Sequence, residues 1–238
     1  MVLLSKNKKK GPKVNKDDKK SKNQRNKEIM EAINEVIAND DTPEENKKQL
    51  SALMISTAFL ENSLGFYDPA YNRTYTSGQW SIDEPFLNQI LEKSGFAVDE
   101  FGNKTDKLRD NNYNKFLIRA GYDPANPKSM DKFVKDLKNY DPLTGAYMAR
   151  LKYSLDPKPL PKLTKEDIWQ TWYLGYNGKG VGEPGSEDYE KLFETFDGFY
   201  DDFFDEEYFE DNGDSDPQGM APGFIENSND IFSPGSLI

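Results

Sequence analysis

Apolar residues recur along this chain mainly at three- and four-residue steps, the spacing that lines one face of an α-helix. Ile29, Ile33, Val36 and Ile37 form one such stripe, and Asp40-Asp41-Thr42-Pro43-Glu44-Glu45 after it is a restart signal. Thr42 is expected to cap the next helix, with Pro43 as its first residue and Glu45 closing a capping box. That helix carries Leu50, Leu53, Met54, Thr57, Ala58 and Leu60, reaches Glu61 and is expected to stop at Gly65. Further helices are predicted over residues 111–120 and 129–139. Another starts at Asp141-Pro142 with Tyr147, Met148, Leu151 and Leu155, and a last one at Thr164 with Ile168, Trp169, Trp172, Tyr173 and Tyr176. Residues 66–84 differ: Tyr, Thr, Gly and Trp stand among turn formers and predict a small hairpin within Tyr71 to Ile82. The fold class expected is mainly α, a helical domain with a short β element.

Charge adds boundaries to this pattern. Residues 1–27 hold eleven Lys/Arg against two Asp, and residues 192–238 hold thirteen Asp/Glu and no Lys/Arg. The basic head has almost no apolar residue after Leu4, so burial cannot offset its ordering entropy, and it is expected to be disordered. The 164 residues of 28–191 are enough for one domain with its own core. The acidic tail, 192–238, is not uniformly polar. Leu192, Phe196, Phe199, Tyr200, Phe203, Phe204 and Tyr208 keep helical spacing, and two uses fit this aromatic face: packing on the domain, or docking into a groove on a partner protein.

Composition then removes whole classes of chemistry. The chain has no histidine and no cysteine, which excludes Ser-His-Asp and Cys-His catalysis, disulfides, and histidine or thiolate metal sites. Carboxylate chemistry is left, and neither a metal nor a cofactor is expected. Met1-Val2-Leu3-Leu4-Ser5 is too short an apolar run for a signal peptide, and no stretch approaches the roughly 20 apolar residues of a membrane span. Lysines of the head can contact a phosphate backbone, but no aromatic residue accompanies them to stack on bases, so no specific nucleic-acid partner is expected.

Two stretches carry the candidate site. Thr57-Ala58-Phe59-Leu60-Glu61 places a carboxylate at the end of an apolar helix, where water is partly excluded and a glutamate can hold its proton near neutral pH. Trp172-Tyr173-Leu174-Gly175-Tyr176-Asn177-Gly178 places a tyrosine and an asparagine where a helix stops at glycines. Plainer roles exist for each: Tyr176 as a core aromatic, Asn177 as a helix C-cap, Ser63 as a terminus hydrogen-bonder. Trp80, Trp169 and Trp172 could stack on sugars, although at helical spacing Trp169 and Trp172 read first as core.

These residues resemble a known family. Phe59-Leu60-Glu61-Asn62-Ser63-Leu64-Gly65 resembles the Glu-Ser-x-x-Gly neighbourhood of lysozyme-like lytic transglycosylases and goose-type lysozymes. Ser77-Gly78-Gln79-Trp80-Ser81-Ile82 is similar to their Gly-Leu-Met-Gln-Ile segment, Gly145-Ala146-Tyr147 to the glycine before their Tyr-Leu pair, and Tyr176-Asn177-Gly178-Lys179-Gly180 to their Ala-Tyr-Asn-Ala-Gly signature. Gly175 stands where the family has Ala, Asn62 separates Glu61 from Ser63, and Ser81 falls where the family has Gln, with Gln79 as its stand-in. The resemblance implies a lysozyme-like fold with a substrate groove and cleavage of peptidoglycan glycan strands by Glu61 alone. It also implies substrate contacts from Ser63, Gln79, Ser81, Tyr147, Tyr176 and Asn177. Hydrolysis with a water held by Asp68 or Asp83, and transglycosylation to a 1,6-anhydro sugar, are both compatible with it. It further implies the setting of a phage virion protein acting at the host cell wall on entry, in which case other virion proteins are the partners that a docking acidic tail would meet. The alternative is a non-enzymatic virion structural or scaffolding protein that keeps the fold. Brief trypsin digestion is expected to remove the lysine-rich head first and leave a resistant core of residues 28–191, read by mass spectrometry; head lysines that resist as core lysines do would displace these boundaries.

Overall fold

Between Pro142 and Ser154 lies a helix whose residues Thr144 to Ala149, Leu151 and Tyr153 are all buried. A helix apolar on every side needs neighbours on every side, and this one has them. In the computed structural model, which describes residues 22–62, 76–77, 80–109, 111–177 and 181–204, the surrounding elements are placed in chain order. They are α1 (Lys22–Ala38), α2 (Glu44–Asn62), β1 (Thr76–Ser77), β2 (Ile82–Asp83), α3 (Glu84–Lys93), β3 (Phe96–Val98), β4 (Lys104–Leu108), α4 (Asn112–Arg119) and α5 (Pro127–Lys138). The central helix is α6 (Pro142–Ser154); α7 (Lys165–Thr171) runs directly into a π-helical turn (Trp172–Tyr176), and α8 (Glu187–Phe203) follows. α1, α2, α4, α5, β2 and the π turn all contact α6. The described residues are thus mainly helical, with two short antiparallel strand pairs.

Local chemistry explains most boundaries. Asp83, Asn111, Asn126, Asp141, Thr164 and Ser186 each accept a backbone N–H at the start of α3, α4, α5, α6, α7 and α8. Proline in the first turn of α3, α5 and α6 supplies a fixed φ where no N–H is needed. β1 pairs with β2 through Thr76 opposite Asp83 and Ser77 opposite Ile82, at the end of the segment expected to form a hairpin. β3 pairs with β4 through Phe96 opposite Leu108 and Val98 opposite Lys104, with an irregularity between. Gly145 lets the Trp80 ring lie on α6, since a Cβ there would stand 3.0 Å from Trp80 Cε3.

Several expectations change. Thr42 makes no capping box with Glu45. Its hydroxyl donates to Asp40 Oδ1 at 2.5 Å, and Asp40 Oδ2 in turn lies 2.9 Å from Arg150 Nε of α6. Burial works to raise the Asp40 carboxyl, but Thr42 and Arg150 outweigh it and hold it below the usual carboxylate value. The turn between α1 and α2 is therefore pinned to the central helix by a charge and not by the expected cap. α1 begins at Lys22, inside the stretch drawn as disordered to residue 27, and Asn26 is buried. α3 and the β3–β4 pair were not foreseen. The expected stop at Gly65 and most of the 71–82 hairpin lie outside the described residues, as do residues 1–21 and 205–238.

Of the two uses expected for the aromatic face of the tail, the described part takes the first, packing on the domain. α8 crosses residue 191 without a break, and its aromatic face packs inward: Phe196, Phe199, Tyr200 and Phe204 are buried. Phe199 stacks on Phe59 of α2 with ring centroids 3.7 Å apart and planes 5° from parallel. Phe196 joins Trp169, whose indole N–H donates to the Tyr189 hydroxyl at 2.8 Å. Lys165 Nζ, at the start of α7, pairs with Asp197 and Asp201 on the outer side of α8. Up to Phe204 this face is part of the domain and is closed to a partner. Phe199→Ala is expected to lower unfolding free energy by about 3–5 kcal/mol in urea titrations. Phe101→Ala, at an 80% exposed position, should change it by no more than about 0.5 kcal/mol.

Candidate active site

α2 is apolar for most of its length, with Leu50, Leu53, Met54, Ile55, Ala58 and Phe59 buried, and its last turn delivers Glu61 to a site where that residue is only 9% exposed. A carboxylate there needs a donor, because an unpaired buried charge is costly. The indole N–H of Trp172 supplies one, donating to Glu61 Oε1 at 3.0 Å across 111 residues of chain. Trp172 opens the π turn, which closes with the Asn177 N–H donating to the Trp172 carbonyl at 2.8 Å, an i to i+5 bond. Such turns are rare and occur frequently at functional sites. The two stretches singled out in the sequence therefore meet at the Glu61 carboxylate.

One turn back on α2, the Thr57 hydroxyl donates to the Leu53 carbonyl at 2.7 Å, which leaves its oxygen to accept from the Tyr153 hydroxyl at 2.6 Å. Burial above all, aided by the negative charge of Glu61, pushes the Tyr153 phenol far up, so it stays protonated and remains a donor. The Tyr153 ring lies 5.2 Å from that of Tyr176. Tyr176 in turn donates its hydroxyl to the Trp80 carbonyl at 2.5 Å, fixing the segment that enters β2. Next to it Ser81 adopts φ +49°, a left-handed conformation that costs a non-glycine residue energy and is held by its surroundings. The Ser81 hydroxyl is buried with no hydrogen-bond partner among the described residues. Lys152 is half-buried, its Nζ 4.2 Å from the Tyr176 ring centroid and 5.9 Å from that of Phe86. Burial lowers its proton affinity, while Asp83 and Glu61 act in the opposite direction.

The predicted site residues divide accordingly. Glu61, Tyr176 and Ser81 are brought to one region. Asn177 adjoins it, but its Oδ1 accepts from the Val181 N–H at 3.2 Å, which commits that oxygen to the chain itself. Tyr147 is not brought there: it is buried on α6 near Glu35 and Asn39 of α1, and burial followed by the Glu35 charge raises its phenol. Ser63 and Gln79, like Asp68, lie outside the described residues. Asp83 caps α3 by accepting the Phe86 N–H at 2.8 Å, which commits one of its oxygens. Trp172 is buried, as a core reading requires, yet its polar edge serves Glu61. Lys152, Tyr153 and the hydroxyl of Thr57 were missed; only the i, i+4 spacing of Thr57 and Glu61 could have pointed to one of them.

No family model matches this chain, no curated protein is detectably similar to it, and no solved structure is detectably similar to its fold. The geometry therefore carries the functional reading. A surface cavity of about 320 Å³ lies elsewhere, lined by Leu91, Phe96, Lys104, Arg109 and Met130 among others, and shares no residue with the Glu61 group. Among the described residues no group of three His, Cys, Asp or Glu side chains could hold a metal ion, and no helix is long and apolar enough to cross a membrane. Trp172→Phe keeps a buried ring but removes the donor to Glu61. It is expected to cost about 1–3 kcal/mol of stability by urea unfolding, beyond what loss of ring volume alone would give.

Proposed function

We propose that this chain cleaves the glycosidic bond between N-acetylmuramic acid and N-acetylglucosamine in peptidoglycan, with Glu61 as its single acid and base. The observation that carries the reading is the Trp172 hydrogen bond to Glu61, because it joins the two motif-bearing stretches around one nearly buried carboxylate. In the acid step protonated Glu61 gives its proton to the glycosidic oxygen as the C1–O bond breaks. The positive charge left on the sugar is met by the substrate's own N-acetyl oxygen, as the resemblance to lytic transglycosylases implies, and that oxygen leaves C1 again in the next step. Glu61, now ionised, takes the proton of the C6 hydroxyl while that oxygen bonds to C1, giving a 1,6-anhydro end. In the hydrolytic variant a water held near Asp83 takes the place of the C6 hydroxyl.

The setting proposed is a phage particle that opens the cell wall on entry. Attachment to other virion proteins then falls to residues beyond Phe204, since the preceding aromatic face is used inside the domain. One observation favours the rival reading, a structural protein that only keeps the fold: Tyr176 and Asn177 both direct polar atoms to the chain itself.

Glu61→Gln separates the two. It keeps volume and hydrogen-bonding shape, so the melting curve should stay as in the wild type while muropeptide release from purified peptidoglycan falls to background. Mass spectra of wild-type products should show 1,6-anhydro ends, and reducing ends would select hydrolysis. A folded Glu61→Gln chain that cleaves at the wild-type rate would overturn the assignment.

A further inference from the structure

The turn between β3 and β4 holds an aromatic ring out into water: Phe101, at its tip, is 80% exposed. The backbone beneath that ring is fixed. Asp99 Oδ1 accepts the N–H of Phe101 at 2.9 Å and that of Asn103 at 2.8 Å, and Asp99 Oδ2 accepts the Asn103 side-chain amide at 3.1 Å. The Gly102 N–H donates to the Asp99 carbonyl at 3.0 Å, with Gly102 at φ +82°, where glycine alone is unstrained. Ordering of this tip is complete before any partner arrives, which removes a cost that association otherwise carries.

Along the same strand pair lies the cavity of about 320 Å³, walled by Leu91, Phe96, Pro127 and Met130 and lined also by Lys104 and Arg109. An apolar cavity of about 150 Å³ is enough to take benzene, so this one has room for a phenyl ring. Phe101 of its own chain is not among the lining residues and stands in solvent instead. Arg109 gives Nε to the Phe96 carbonyl at 2.8 Å and Nη1 to the Glu92 carbonyl at 3.1 Å, while Lys104 Nζ lies 5.9 Å from the Phe96 ring centroid. Neither cation pairs with a carboxylate among the described residues. Leu91 is itself exposed, so two of the four large apolar side chains exposed among the described residues, Leu91 and Phe101, belong to this one region. Apolar exposure gathered in one place marks an interaction surface.

We propose that this surface joins two copies of the chain: Phe101 of each enters the cavity of the other, and Glu100 beside it meets Lys104 and Arg109 of the other. Charge selects the second copy as the occupant. Asp99 and Glu100 precede Phe101 directly, and the cavity offers two cations that no carboxylate answers, so tip and cavity match in both shape and sign. Donation from Asn103 above all holds the Asp99 carboxyl below its usual value, which keeps the tip negative. Because tip and cavity lie on one strand pair, a single twofold axis satisfies both contacts, and the assembly closes at two chains. The Glu61 group stays outside this interface, since the cavity shares no residue with it.

Sedimentation equilibrium of the full chain tests the proposal. The wild type should show a monomer–dimer equilibrium, and Phe101→Ala should raise its dissociation constant at least about tenfold. Lys104→Glu should weaken association by a similar factor, because it sets a like charge against Glu100, and combining it with Glu100→Lys should recover the wild-type constant. All three positions are exposed, so the variants should keep the wild-type melting curve. A wild type that remains monomeric up to about 1 mM overturns the proposal. So does a folded Phe101→Ala chain that dimerises as the wild type does, or a double variant no tighter than Lys104→Glu. A photoreactive benzophenone side chain at position 101, in a mixture of unlabelled and nitrogen-15-labelled chains, should cross-link one kind of chain to the other at the peptide that contains Met130. Links confined to one chain, or landing in residues 205–238 in place of the cavity, overturn it as well.

Discussion

Enclosure of α6 is the constraint from which the rest follows. Its buried residues run round the whole helix, so every side must be covered by something apolar. The two ends are covered differently. Near the N-terminus the cover is Trp80, admitted by Gly145, together with Tyr122, whose hydroxyl bonds both Asp136 and Thr144. Near the C-terminus the cover is α2 and the π turn, the two elements that carry Glu61 and Trp172. The candidate site is thus a by-product of closing one end of a central helix, and its geometry is as rigid as that closure.

This arrangement explains why polar groups appear in so dry a place. Thr57, Tyr153, Tyr176 and Trp172 each answer another group's hydrogen-bonding need, in separate bonds that tie α2 to α6, the π turn to α2, and the π turn to the segment entering β2. Each bond adds only about 0.5–1.5 kcal/mol net, while leaving any one partner unmet costs about 1–3 kcal/mol. The network therefore specifies one arrangement more than it stabilises it. Glu61 stands inside that arrangement, its carboxylate held by the Trp172 indole of the π turn.

Those neighbours mark how far the sequence could be read. Helical spacing and side-chain caps located α1, α2 and α4 to α7, because both signals are local and Asn111, Asp141 and Thr164 act within three residues of themselves. α3 was overlooked although Asp83-Glu84-Pro85 carries a start signal, since its apolar positions Phe86, Leu87 and Ile90 are too few to show a period. The aromatic stripe of the tail was seen, but periodicity cannot say whether a face is satisfied within the domain, and Phe59 resolves that only in three dimensions. Glu61, Tyr176 and Ser81 could be nominated from motif order. Lys152 and Tyr153 could not, because nothing in Arg150-Leu151-Lys152-Tyr153 distinguishes an inward ammonium from a solvated one. Tyr147 shows the converse error: the right neighbourhood in sequence, turned toward a different helix.

The π turn has a consequence for how this chain can change length. One extra residue is accommodated between Trp172 and Asn177 relative to an α-helical turn, since the bond that closes it spans five residues and not four. Five residues of the π turn close about the same rotation as four of an α-helix, so losing one residue there would let it relax into ordinary α-helix while the flanking stretches kept their register. Losing one residue from an uninterrupted helix such as α6 would instead turn everything after it by about 100°. The turn that holds Trp172 against Glu61 is thus also the point at which this helix can shorten with least disturbance to its flanks.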